Sequence, residues 1–376
     1  MTEPDVSTII NSNLTEVTTS IWANGRHIVR CARVIMETDD VRTFCFMAEQ
    51  PMLFFFKPGQ FVTLELEIEG QQVMRSYTIS SSPSTPYSFS ISVKRVPGGQ
   101  VSNWLHDNMN EGDVLAVHGP VGNFNCIDYP ADKVLLLSGG VGITPVMSMA
   151  RWMFDTNAET DICFIHSART PDDVVYKREL EQMSSRVSNF HLHLICERTA
   201  PGSVWYGYRG YLDAVKLEII APDFMDREVF CCGPEPYMRA VKALLKEAGF
   251  DMSRYHDESF GATPVEVEEE AISQAETFVE AEEEFVENAE SFSVTLSKTG
   301  KSAQIAEGET VHAAANKLGV YIPKACGMGI CGTCKVLKTS GDVEMSHNGG
   351  ITDEDVAEGY ILSCCSVPTS NVEIDL

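Results

Sequence analysis

Residues 263–290, TPVEVEEEAISQAETFVEAEEEFVENAE, hold eleven Glu and no Lys or Arg. Like charges at that density repel one another, and the few apolar residues between them bury too little surface to offset the entropy of ordering the segment. An extended or partly helical tether is expected, with a solvated charged helix lying on one domain as the alternative. Either form cuts the chain into residues 1–262 and a compact tail, 291–376. The segment supplies eleven units of a formal net charge of −26. Lys and Arg are clustered nowhere, so neither nucleic acid nor an anionic membrane is an expected partner.

The 376 residues leave room for two or three domains with cores of their own. No apolar run approaches the ~18 residues of a membrane span. Residues 1–28 lack a positive region, a continuous apolar stretch and a small-residue cleavage site, so they read as a flexible N-terminal arm and not an export signal. The twelve cysteines are scattered or adjacent over a long chain, unlike the dense framework of a small secreted domain. A reducing cytoplasm is therefore expected.

The pattern changes near residue 131. From Arg30 to about Asp128, short alternating stretches such as FVTLELEIEG, YSFSISVKRV and DVLAVHGPV are punctuated by Pro and Gly. They predict antiparallel strands closing a small barrel. Apolar strands then alternate with helical patterns: KVLLLSGG and TPVMSMARWMF, TDICFIHSA and VVYKRELEQM, FHLHLICER, EVFCCGP and EPYMRAVKALLKEAG. That alternation predicts a parallel α/β sheet.

Three stretches suit phosphate. SGGVGITP (138–145) runs a strand into glycines and then a helix expected to begin at Pro145, where open N–H groups and the helix dipole attract an anion. It departs from the usual dinucleotide fingerprint, and HSART (166–170) ends the second strand without an acid for a ribose hydroxyl. MRSYTISSSP (74–83) offers Arg75 for phosphate charge, Tyr77 for stacking and Thr78 for hydrogen bonding. Strand alternation puts Arg75 and Tyr77 on one side and Thr78 on the other. KRVPGGQVSNWLHDNM (94–109) gives two glycines and Ser102 as a candidate N-cap. The two barrel stretches, each taken alone, read better as an ordinary surface strand or loop; three phosphate-type sites in that order are much harder to dismiss.

In the tail, Cys326, Cys331 and Cys334 are followed by Cys364 and Cys365, giving C-x4-C-x2-C-x29-C to the first of the pair. That is the plant-type 2Fe-2S spacing. Two irons and two bridging sulfides present four open positions, and glycines 327, 329 and 332 let the backbone wrap closely and aim N–H groups at sulfur. A zinc site would pair two CxxC-like hooks, and the second hook is missing. SVTLSKTGKSAQI (293–305) predicts a hairpin turning at Lys298–Lys301, and ETVHAAANKLG (309–319) an amphipathic helix ended by Gly319, with His312 on its surface.

RSYT, GGQVS, SGGVGITP and CCGPEPYM (231–238), in that order, resemble the ferredoxin-NADP reductase superfamily over residues 30–262. The resemblance implies that Arg75 binds flavin phosphate, Tyr77 stacks on the isoalloxazine and Thr78 lies near its reactive nitrogen. Ser76 and Val101 fall within the same motifs. Gly99 and Ser102 would hold a pyrophosphate, which implies FAD ahead of FMN. Gly140, Gly142 and Thr144 match the nicotinamide phosphate turn, and Cys232 and Gly233 the element beside the nicotinamide. YHDESF (255–260) resembles the terminal acid and aromatic of these reductases, with Glu258 near the flavin and Phe260 covering its ring. Tyr77, Thr78, Cys232 and Glu258 are thereby the candidate catalytic residues. Cys326, Cys331, Cys334 and Cys364 are the candidate iron ligands, Cys364 being chosen over Cys365 because the preceding Leu-Ser resembles the family's Leu-Thr or Leu-Ala.

The expected fold is a multidomain α+β chain: an arm (1–28), an FAD-binding β-barrel (29–130), an NAD(P)H-binding α/β domain (131–262), an acidic linker (263–290) and a β-grasp 2Fe-2S ferredoxin domain (291–376). A nicotinamide gives up two electrons at once and a 2Fe-2S centre takes one, so a flavin between them is required. No triad or carboxylate pair suggests acid–base catalysis. The domain order resembles the reductase components of two-component Rieske oxygenases. CGMGICGTCK, EMSHNGGI (344–351) and YILSCCSVP resemble those serving glycine betaine and related quaternary-ammonium monooxygenases. NADH is the donor this implies, although Arg169 leaves NADPH open. A Rieske-type oxygenase is the implied partner. A reductase of hybrid-cluster protein is the alternative, and a non-catalytic metal-binding protein a third reading.

Overall fold

The structure, a computed structural model, describes residues 20–156, 158–199, 204–260, 292–305, 308–320, 322, 329, 332, 334–347 and 350–376. It divides into two units, residues 1–260 and 261–376. Most of the N-terminal arm, the acidic linker, and Cys326 and Cys331 lie outside the described residues.

The first unit opens with β1 (Ser20–Ile21), β2 (Gly25–Met36), β3 (Val41–Ala48), β4 (Met52–Leu53), β5 (Phe61–Ile68), β6 (Gln71–Thr78), β7 (Phe89–Lys94), helix α1 (Gln100–Asn108) and β8 (Val114–Val121). Six of these strands form one antiparallel sheet, ordered β6-β5-β8-β2-β3-β7. Its two edges meet through a bridge between Ile79 and Ile91, which closes the barrel. Phe44, Phe46, Phe54, Val62, Leu64, Phe89 and Ile91 fill the interior with no exposed surface. Residues 20–28 differ from the flexible arm expected of them. Trp22 is buried, stacked 5.1 Å from Phe89 and edge-on 4.9 Å from Phe54, and β2 starts at Gly25. A large buried aromatic dominates its neighbourhood energetically, and its burial ties this end of the chain to the barrel.

The second half of the unit comprises β9 (Lys133–Gly139), α2 (Ile143–Asp155), β10 (Asp161–Ala168), α3 (Lys177–Arg186), β11 (Phe190–Cys196), β12 (Tyr208–Arg209), α4 (Ala214–Ile220), β13 (Glu228–Cys232), α5 (Glu235–Glu247) and β14 (Tyr255–Glu258). The sheet is wholly parallel, ordered β12-β11-β10-β9-β13-β14. Parallel neighbours need crossovers, and the helices cover both faces, which explains why these strands read as continuous apolar runs. The strand order reverses between β9 and β13, and ligands of open α/β sheets bind beyond the strand ends at such a reversal.

In the second unit, β15 (Phe292–Leu296), β16 (Lys301–Ile305), α6 (Val311–Lys317), β17 (Lys335–Ser340), β18 (Val343–Met345), α7 (Asp353–Ala357), β19 (Tyr360–Leu362), β20 (Ser366–Pro368) and β21 (Val372–Ile374) follow in turn. A mixed sheet β16-β15-β21-β17-β19 packs on α6, and β18 pairs with β20. Thr310 caps α6 by accepting from the Ala313 N–H, and Gly319 ends it at φ 70°. His312 is not the surface residue its sequence position suggests. It is buried, with Nε2 3.1 Å from the Ile322 carbonyl oxygen and Nδ1 3.2 Å from Asn316, so the ring ties the helix to the chain at Ile322.

Candidate functional site

Register places the barrel residues. In the β5–β6 pair Leu64 faces Arg75, Val62 faces Tyr77, Thr63 faces Ser76 and Phe61 faces Thr78. Opposed residues share a face, so Arg75 and Tyr77 lie on one side and Ser76 and Thr78 on the other. Arg75 and Tyr77 are half-buried, and burial pushes the Tyr77 phenol up. Thr63 and Ser76 hydroxyls meet at 2.9 Å.

Gly99, not Ser102, is the N-cap of α1. Ser102 lies in the first turn and its Oγ accepts from the Val96 N–H at 3.2 Å; a hydroxyl three residues past the cap turns back onto the preceding loop. Val101 is buried beside it. A Cβ on Gly98, at φ 71°, would meet nothing within 4 Å, whereas one on Gly99 would lie 2.7 Å from Ser102 Oγ. The first N–H groups of α1, which have no acceptor within the helix, thus stand behind Gly98, where no side chain blocks the approach, and this fits a pyrophosphate.

At the end of β9, Gly140–Gly142 form a 3-10 turn and α2 begins at Ile143, two residues before Pro145. Pro145 is still in the first turn, where its missing N–H costs nothing. Gly140 adopts φ 53° over open space, while a Cβ on Gly142 would lie 2.5 Å from the Cys232 carbonyl oxygen and from Gly233. The turn is thus pressed against the end of β13 on one side and open on the other. Thr144 Oγ1 donates to the Val141 carbonyl at 3.2 Å, so its hydroxyl braces the turn. Gly233 lies under the Tyr237 ring, 2.6 Å from where its Cβ would be.

A row missed in the sequence crosses the sheet at this level. His166 pairs with Ser138, Ser138 with Cys232, and Cys232 with Glu258. Each is a polar or thiol residue at the end of an apolar strand, a signal the sequence did carry. All four are buried, and His166 Nδ1 lies 2.8 Å from Ser138 Oγ. Burial lowers the His166 imidazole to about 4, so it is neutral at physiological pH. Glu258 ends the row and receives a hydrogen bond from Thr78 Oγ1 at 3.3 Å, joining the α/β sheet to the flavin motif. Burial raises the Glu258 carboxyl to about 8 against a weaker opposing effect of Thr78. Burial, and then the Glu258 charge, push the Cys232 thiol far up, which makes it an inert side chain and not a nucleophile. Phe260, two residues on, is 40% exposed.

In the second unit Cys334 and Cys364 are buried. Ser363 links their segments, its N–H and Oγ both donating to the Cys334 carbonyl at 3.1 and 3.0 Å. Gly329 and Gly332 have φ 66° and 71°, and Cβ atoms there would lie 2.7 Å from Cys365 Sγ and from the Gly350 carbonyl oxygen respectively. Soft thiols from two distant segments around left-handed glycines fit an iron–sulfur centre.

Comparison with known proteins agrees with this geometry. Residues 30–126 match the oxidoreductase FAD-binding domain, 136–243 the oxidoreductase NAD-binding domain and 294–369 the 2Fe-2S iron-sulfur cluster binding domain. The glycine betaine monooxygenase reductase subunit of Pseudomonas aeruginosa is 70% identical over 96% of this chain and 98% of its own. The chain belongs to this reductase subunit family. The family extends to the stachydrine N-demethylase reductase subunit Stc4 of Rhizobium meliloti, 43% identical over 95% of this chain and 98% of that one. The solved phthalate dioxygenase reductase shares the fold, with a TM-score of 0.56 and 24% identity over 94% of this chain and 98% of that one. The reductase is thus an oxidoreductase subunit of a monooxygenase system, with FAD-binding, NAD-binding and 2Fe-2S domains.

Proposed function

We propose that the reductase works in the cytoplasm, drawing electrons from NADH and delivering them to a Rieske-type oxygenase that demethylates glycine betaine or a related quaternary ammonium compound. The observation carrying this reading is the 70% identity to a glycine betaine monooxygenase reductase subunit across all three domains. The relative at 43% is named for stachydrine, also a quaternary ammonium carboxylate. The buried cysteines of the first unit, Cys31, Cys126, Cys163, Cys196, Cys231 and Cys232, form no disulfide, in keeping with a reducing compartment. No described helix is long and apolar enough to cross a membrane.

FAD, when bound, supplies the conversion of a two-electron donor into a one-electron supply. The chain's residues bind and orient. Arg75 neutralises flavin phosphate, Tyr77 stacks on the ring, Ser76 belongs to the same cofactor-binding motif, and Gly99, Val101 and Ser102 form the helix start that takes the pyrophosphate. Gly140, Gly142 and Thr144 shape the dinucleotide turn, with Cys232 and Gly233 closing its floor. Glu258 holds a proton on its carboxyl beside Thr78, and Phe260 shields the pocket from water. Cys326, Cys331, Cys334 and Cys364 supply four thiolates to the cluster.

Mixing the purified reductase with the Rieske component of a betaine demethylase tests the reading. Betaine-dependent NADH consumption matched by formaldehyde release is expected. Absence of that coupling, with both components carrying their cofactors, would overturn the assigned partner, and a tenfold preference for NADPH would overturn the donor.

A further inference from the structure

Helix α2 starts at the Gly140–Gly142 turn and carries Ser148 and Arg151, three residues apart and hence neighbours on one face. Both reach the barrel. Ser148 Oγ donates to the Ser81 carbonyl at 2.7 Å, and Arg151 Nη1 donates to the Ser80 carbonyl at 2.6 Å. Ser80 and Ser81 directly follow Thr78 and Ile79 in the flavin motif. The rest of the guanidinium is fixed by α3, because Nε and Nη2 donate to Glu179 at 2.7 and 2.6 Å. Its carbon sits 4.5 Å above the Tyr176 ring.

Tyr176 is itself a marker. Its φ of 58° puts a bulky residue in the left-handed region, and such strain persists only where the surroundings over-determine it. Here its hydroxyl hydrogen-bonds Ser92 Oγ, and Ser92 meets Thr43 Oγ1 at 2.6 Å, so the ring is anchored in the barrel wall. Arg151 therefore sits where the dinucleotide turn's helix, the flavin motif and the barrel wall meet.

We propose that Arg151 is a positioning residue for hydride transfer, with Ser148 as its support. It clamps the segment after Thr78 onto the helix that begins at the dinucleotide turn, and so sets the separation of the two cofactor pockets. The inference rests on the reading of Thr78 and Gly140–Gly142 as cofactor-binding. A planar fork presents Nε, Nη1 and Nη2 to both Glu179 oxygens and the Ser80 carbonyl at fixed separations, whereas an ammonium group would have to make all three bonds from a single nitrogen. Misplacement of reacting groups by ~1 Å costs up to about a hundredfold in rate.

The test uses the full-length holoprotein and anaerobic stopped-flow reduction of bound flavin by NADH. Arg151→Lys is expected to lower the limiting rate per flavin about tenfold or more, with FAD retained and the NADH dissociation constant changed less than about threefold. Ser148→Ala is expected to lower it about threefold, and it serves as the test if Arg151→Lys does not fold. Variants whose limiting rate per flavin equals the wild type, with only melting temperature or flavin retention reduced, would overturn the proposal and leave a purely structural clamp. Wild-type protein that binds both cofactors yet is not reduced by either nicotinamide would instead refute the pocket assignment on which it rests.

Discussion

Glu258 is buried with one described hydrogen bond, from Thr78, and its carboxyl is raised from 4.5 to about 8. At neutral pH it is protonated in the native protein and ionised in the unfolded chain. Its contribution to stability is therefore complete below the ordinary carboxyl range, shrinks as pH rises and is lost above about 8. In flavin-free protein, denaturant titrations of wild type and Glu258→Gln should diverge. The wild type should lose on the order of a few kcal/mol relative to the variant between about pH 5 and pH 8. A difference between them that does not change with pH would refute the assignment. Single residues were legible where a motif fixed their backbone, as at Gly140 and Thr78. They were misread where the hydrogen-bond partner lay outside the local pattern: Ser102 turns back to Val96, and His312 reaches Ile322. Arg151 gave no signal, because its barrel acceptor is a backbone carbonyl, which leaves no trace in residue identity, and its carboxylate partner Glu179 lies 28 residues away on α3.

Among the elements, the glycine turn before α2 makes the sharpest demand. A Cβ on Gly142 meets backbone of Cys232 and Gly233, which cannot swing aside as a side chain would. Gly142→Ala should cost about 1–3 kcal/mol and weaken NADH binding by pushing the turn away from β13. Gly249, at φ 77° with nothing within 4 Å, serves as control: alanine there should lower the melting temperature through backbone strain while NADH affinity stays unchanged. Equal NADH affinity in both variants, measured by fluorescence titration, would show that the turn is not the dinucleotide site. The strands and the long helices were legible from their periodicity. Helix α4 was not, since seven residues give barely two turns of pattern; its cue is Asp213, which caps it by accepting from the Lys216 N–H at 2.8 Å. Helix α2 starts earlier than Pro145 because the 3-10 turn runs directly into it.

For the molecule as a whole, the division into a two-cofactor unit and a cluster-binding unit followed from the charge run at 263–290, whose eleven glutamates no core could accept. Shortening that run should slow reduction of the oxygenase while leaving flavin reduction by NADH unchanged, as followed by stopped-flow absorbance. Unchanged rates for both would dismiss a role for the tether in bringing the 2Fe-2S domain to the oxygenase. The chain's course imposes something further. Thr78 is made early, yet the carboxyl it binds is 180 residues downstream on β14, the last strand of its sheet. A nascent chain leaving the ribosome therefore displays barrel and glycine turn before Thr78 has its carboxyl partner, which arrives only with the final strand of the sheet.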